Sequence, residues 1–137
     1  MQNELPTLLG TMRARLSDQL TAAKIDLDWA VSDLPDIPNM SPKFSLHVMR
    51  IVQEATTNCI KHADCEKMIL ATGTISQDEV YVDIIDYGKG MELQKTEIKN
   101  QRRGISNMFY RAQKIGATLN IESSTKGTRI RLILALN

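Results

Sequence analysis

The chain has almost no cysteine, few aromatic residues and no surplus of charge of either sign. Its two cysteines, Cys59 and Cys65, lie six residues apart, which matches neither metal-ligand nor dithiol redox spacing, and only His47 and His62 could join them as nitrogen ligands. A disulfide scaffold is therefore excluded, and the two read as reduced thiols of a cytosolic protein. Basic residues number 17 against 16 acids, a net charge of +1, so no overall field attracts nucleic acid or an anionic membrane and any anion site must be local. The longest apolar run, residues 132–136, is far short of the roughly 20 residues a membrane-spanning helix needs. The amino terminus carries Glu4 and no basic-then-apolar signal pattern, so the chain is expected to be soluble.

What is present is 137 residues with 42% apolar content, enough to bury one core and too little for two ordinary domains, so residues 1–137 are read as one domain. Helical and strand periods alternate without internal repeats, which indicates an α/β chain. Leu5, Leu8, Leu9, Met12, Leu16 and Leu20 recur at helical spacing, with Pro6 acceptable in the first turn, and predict a helix over 4–23. Ile25, Leu27, Trp29 and Val31 alternate with polar residues as in a half-buried strand, and three prolines within 32–42 mark a loop. Ser41 and Pro42 supply an N-cap and a first helical residue for a long helix ending near Asp64. Residues 67–75 and 79–86 read as an antiparallel hairpin, a helix follows Gly104 and stops at Gly116, and 118–123 with 128–136 read as a closing hairpin.

The helix segment RIVQEATTNCIKHA, residues 50–63, carries the first candidate site. A 3.6-residue period puts Glu54, Asn58 and Lys61 or His62 on one face beside an apolar flank of Ile51, Val52, Ala55, Cys59 and Ile60. Such a row is costly to bury without partners, so a charged ligand could complete it; a solvated polar face is the simpler alternative. A magnesium-bound polyphosphate suits the chemistry. Magnesium takes oxygens such as the Asn58 side-chain carbonyl, Lys61 can neutralise phosphate oxygens, and Glu54 can accept a proton.

In DIIDYGKGM, residues 83–91, the strand period aims Asp86 to the same side as Val80, Val82 and Ile84, where a carboxylate needs a donor. Gly88 and Gly90 permit positive φ and close backbone approach. Two readings stand: an adenine pocket in which Asp86 accepts from the exocyclic amine, or a glycine turn whose amides Asp86 binds. Further along, Arg102, Arg103 and a helix start at Gly104 make a candidate phosphate site, or else an ordinary surface helix with solvated basic residues. The polar segment between these motifs, up to residue 103, has few apolar anchors and reads as a mobile lid. Thr128 shares its strand face with Ile130, Leu132 and Leu134, so its hydroxyl could reach the Asp86 pocket; as a β-branched residue it could equally be a plain strand former.

In their order and spacing over residues 42–136 these segments resemble the catalytic ATP-binding domain of sensor histidine kinases of the nitrate-sensor and lipid-fluidity-sensor type. RIVQEATTNCIKHA resembles the N box, DYGKGM the G1 box, and GISNMFYRA with KGTRIRLIL the G2 region and closing strand, while residues 4–41 resemble the variable lead-in. The resemblance implies the Bergerat-type fold of gyrase, heat-shock chaperone, histidine kinase and mismatch-repair ATPases. That fold is an α/β two-layer sandwich, a mixed and mostly antiparallel sheet covered on one face by helices, with ATP held between helices and a lid. It further implies that Asn58 coordinates magnesium, Lys61 and His62 contact phosphate, Asp86 reads adenine and Gly88 and Gly90 shape the pocket. Gly104 would belong to the lid edge with Arg103 beside it, Thr128 would support the Asp86 contact, and Glu54 would polarise the attacking group.

Tyr87 departs from the asparagine often found in the G1 box, and no phenylalanine-rich box separates G1 from G2, so the lid is short. His47 and His62 both fall in the nucleotide domain's own helix, so the phosphoaccepting histidine and its dimerising helical hairpin are expected on another segment, which the resemblance places just before Met1. The expected function is transfer of the γ-phosphoryl of MgATP to that histidine in the cytoplasm, with a response regulator downstream and no contact of this chain with nucleic acid or membrane. Two alternatives are an anti-sigma-factor type serine kinase, against which QEATTNCIKHA speaks, and a non-catalytic nucleotide-binding module, against which intact Glu54, Asn58 and Asp86 speak.

Overall fold

The structure, a computed structural model, describes residues 5–38, 40–89 and 99–136, with the backbone alone for 99–102. Helix α1, Leu5–Ala22, buries Leu5, Leu9, Met12, Leu16 and Leu20, the stripe its spacing demands. It ends where Lys24 turns left-handed at φ 61°, and Ile25 N–H donates back to the Leu20 carbonyl at 2.8 Å. The loop after β1 (Asp26–Ala30) is pinned rather than free, because Ile37 and Met40 are buried in the core. Helix α2, Pro42–Asn58, begins as its sequence requires, with the Ser41 hydroxyl accepting from Phe44 N–H at 3.1 Å. Its end differs from expectation. The winding widens into a π turn at Cys59–Ala63, and Asp64, at φ 53°, reverses the chain, so the α-helical projection of the first candidate site holds only as far as Asn58.

Strands β1, β2 (Lys67–Ser76), β3 (Glu79–Asp86), β4 (Thr118–Ser124) and β5 (Gly127–Ala135) form one sheet in the order β1-β2-β3-β5-β4. β1 pairs with β2 in parallel, the long connection through α2 supplying the crossover, and all other pairs are antiparallel. Met68, Leu70, Val80, Val82, Ile84, Ile130, Leu132 and Leu134 turn to one side and are buried with the inward residues of the helices, so the mixed two-layer sandwich is as expected. On the opposite side Asp83 is buried under a two-pronged pair with Arg131, both contacts 2.8 Å, and the guanidinium stacks 4.1 Å from the Tyr81 ring centre.

Helix α3 runs from Lys99 to Lys114, burying Met108 and Ala112, and Gly116 closes it at φ 68°. It therefore starts five residues before Gly104, which lies inside the helix and not at its N-terminus. Lys, Gln and Arg are good helix formers, so residues 99–103 of the expected lid segment have helical backbone continuous with the rest of α3. Gly90 and residues 91–98 lie outside the described residues.

Candidate nucleotide site

Asn58 closes the α-helical part of α2 and is 4% exposed, yet among the described residues its Nδ2 has no hydrogen-bond partner. An unpaired buried amide costs about 1–3 kcal/mol, which a bound polar group would recover. One turn earlier, Glu54 faces α3, and its carboxylate lies against Gly104, where a Cβ would sit 2.6 Å from Oε2. Beside it a polar cleft of about 240 Å³ opens between α2 and α3, lined by Arg50, Thr57, Asn107 and Arg111. The widened π turn separates the two basic candidates. Lys61 is exposed, whereas His62 is half-buried. Burial and the charges of Lys61 and Lys89 push the His62 pKa down while Glu54 opposes them, so His62 is a neutral imidazole at pH 7 within electrostatic reach of Glu54.

Asp86 ends β3 with 8% exposure, facing the helices as its strand period requires. Burial pushes its pKa up, against the backbone N–H groups of Gly88, at 3.0 Å, and Thr128, which favour the carboxylate. The turn that follows docks on the π turn: Lys89 N–H donates to the Ala63 carbonyl at 2.8 Å, and any Cβ at Gly88 would collide with that carbonyl oxygen. Gly127, at φ 136°, packs as closely against the Asp86 backbone, and no larger residue fits there. Thr128 is buried opposite Asp86 in the β3–β5 register. Its hydroxyl lies 2.8 Å from that of Ser123, so among the described contacts its support to Asp86 comes through the backbone and not through the hydroxyl.

The two cysteines are brought together, their sulfurs 2.9 Å apart, and burial raises the pKa of both thiols, with Asp86 close enough to raise them further. The fold thus gathers Glu54, Asn58, His62, Asp86, Gly88 and Gly104 around the junction of α2, the π turn, the β3 end and α3. Arg103 stands exposed on α3, and the Arg102 side chain lies outside the described residues. The Ala63–Lys89 backbone bond escaped the sequence reading because a backbone contact leaves no residue signature.

Among the described residues no three His, Cys, Asp or Glu side chains form a metal cage. A nucleotide-borne magnesium ion does not require one, since it keeps several waters and takes one or two protein oxygens beside the phosphates. The unpaired Asn58 Nδ2–H2 is a donor that calls for an acceptor such as a phosphate oxygen, and the oxygen of the same amide is of the type such an ion takes, while the missing side chain at Gly88 lets the turn close on the Ala63 carbonyl.

Residues 44–137 match the family described as histidine kinase-, DNA gyrase B-, and HSP90-like ATPase. The sensor histidine kinase LiaS of Bacillus subtilis is 31% identical over 109 residues, 79% of this chain and 28% of LiaS. The nitrate/nitrite sensor protein NarQ of Escherichia coli is 29% identical over 126 residues, 92% of this chain and 21% of NarQ. The chain therefore spans about a quarter of the length of these curated relatives. Among solved structures, the Acinetobacter baumannii histidine kinase AdeS superposes with a TM-score of 0.77 at 14% identity, covering 98% of this chain and 66% of AdeS, which shows a shared fold.

Proposed function

This chain belongs to the histidine kinase-, DNA gyrase B- and HSP90-like ATPase family, and from that premise we propose that it is the ATP-binding catalytic domain of a two-component sensor histidine kinase. It transfers the γ-phosphoryl group of ATP to a histidine on a segment outside residues 1–137, from which a response regulator would draw it. The observation that carries this reading is the buried Nδ2–H2 of Asn58, left without a partner among the described residues one helical turn beyond Glu54.

In this reading Asp86 accepts a hydrogen bond from the exocyclic amine of adenine, Gly88 lets the following turn close on the Ala63 carbonyl, and Gly90 leaves room for the ring. Neutral His62 donates to a phosphate oxygen, and Lys61, free to swing in from the surface, adds positive charge with Arg103. Asn58 would help hold a magnesium ion through its side-chain oxygen, an ion that would supply charge neutralisation for the transferring group. Glu54 accepts the N–H of the incoming imidazole, leaving the other ring nitrogen's lone pair directed at phosphorus. Phosphoryl transfer is chiefly positioning and charge stabilisation, and these residues supply both. The curated relatives are sensor kinases, which favours a histidine acceptor over the serine of anti-sigma-factor kinases. Acid-labile labelling of a separate histidine-bearing domain tests the proposal, and acid-stable phosphoserine would favour the other acceptor.

A further inference from the structure

Two thiols face each other beside the nucleotide site. Cys59 and Cys65 hold their sulfurs 2.9 Å apart, about 0.9 Å longer than a disulfide bond of ~2.05 Å. Six residues of separation close to this distance because the π turn and the left-handed Asp64 fold the chain back on itself. Cys59 is 3% exposed and Cys65 half-buried, so reagents in solution reach Cys65 first. The segment the two cysteines enclose is part of the site's wall. Cys59 follows Asn58 directly, and the enclosed Ala63 carbonyl accepts the Lys89 N–H at 2.8 Å.

We propose that Cys59 and Cys65 form a reversible disulfide that weakens nucleotide binding at the adjoining site. The oxidant is a low-molecular-weight disulfide. Burial keeps both thiols mostly protonated, so the step is slow. The minor thiolate form of Cys65, the more exposed of the two, attacks one of the oxidant's sulfurs, expelling one thiolate and leaving a mixed disulfide. Cys59, after losing its proton, attacks the Cys65 sulfur and expels the second thiolate, so the chain gives up two electrons and two protons and the oxidant becomes two thiols. Closing the gap draws the π turn toward the start of β2. That motion pulls the Ala63 carbonyl off the Lys89 N–H and turns the Asn58 amide. Loss of one such hydrogen bond corresponds to a roughly two- to tenfold weaker affinity.

The effect on binding rests on the nucleotide site proposed above, whereas bond formation is read without nucleotide. The whole chain is incubated with glutathione disulfide, acid-quenched, and followed by thiol titration and intact mass. ATP affinity is then measured by calorimetry on the reduced, oxidised and re-reduced protein and on Cys65→Ser. The expected result is loss of both thiols in a monomer without added mass, a roughly two- to tenfold rise in Kd, full reversal by dithiothreitol, and no response of Cys65→Ser to oxidant. Two thiols that persist, a mixed disulfide that does not resolve, or a disulfide that leaves Kd unchanged would each overturn the switch. Failure of the reduced chain to bind ATP would instead overturn the proposed function and with it the effect on binding, while the disulfide itself is decided by the thiol count.

Discussion

The Glu54 carboxylate rests on the α-carbon of Gly104, so that a methyl group built there would lie 2.6 Å from Oε2 and 2.7 Å from Cδ. Helices α2 and α3 thus meet at a residue that cannot grow without moving the carboxylate. Gly104→Ala should raise or preserve the melting temperature, since alanine in a helix interior is favoured over glycine by about 0.5–1 kcal/mol. The displaced Glu54 should nevertheless slow phosphoryl transfer by roughly tenfold or more. Melting curves and transfer rates on the same preparation check this, and a variant with full activity would detach Glu54 from the chemistry.

Asp86→Ala should weaken ATP binding about 10- to 150-fold, the equivalent of a hydrogen bond to a charged group at roughly 1.5–3 kcal/mol. GTP should bind poorly, because its six-position oxygen would oppose a second acceptor. Calorimetry giving equal ATP and GTP affinities would remove the adenine assignment.

Asp86 also makes stability and binding pull apart with pH. Burial raises its folded pKa above the usual 3.8, so its contribution to stability is present at low pH and is lost as pH rises through the folded pKa. Asp86→Asn keeps an acceptor for Gly88 and carries no charge, so at pH 7 it should melt a few degrees above the parent, with the gain vanishing in acid. ATP affinity of the parent should fall as acid protonates Asp86. Melting temperatures of the two proteins that run parallel across pH would contradict this.

Asn58→Ala should cut the dependence of ATP affinity on magnesium and leave adenosine binding nearly intact, because the nucleoside has no phosphates for an ion to bridge. Titrations with and without chelator separate this from a folding defect, which would weaken both ligands equally.

Much of this arrangement was legible in the residues themselves. The alternation of Val80, Val82, Ile84 and Asp86 announced both the strand and the inward carboxylate, and Ser41–Pro42 announced the start of α2. The π turn was not legible, because CIKHA contains no glycine or proline and its widened winding meets a partner, Lys89, that lies 26 residues beyond Ala63. The meeting of Cys59 and Cys65 was hidden for the same reason, since six residues of ordinary helix would have carried the sulfurs apart. The early start of α3 was not legible because a polar helical turn and a polar loop have the same composition.

The most direct test of the central claim mixes the 137-residue chain with γ-labelled ATP and a separate helical-hairpin domain bearing the cognate histidine. His47 is held in α2 with its Nδ1 3.3 Å from Arg111, and His62 lies in the π turn near Lys89, so neither can reach an in-line position behind the γ-phosphate. The account predicts acid-labile label on the hairpin alone, dependent on Asn58 and Asp86. Robust labelling of the isolated chain on His47 or His62, or acid-stable label on the added domain, would contradict it.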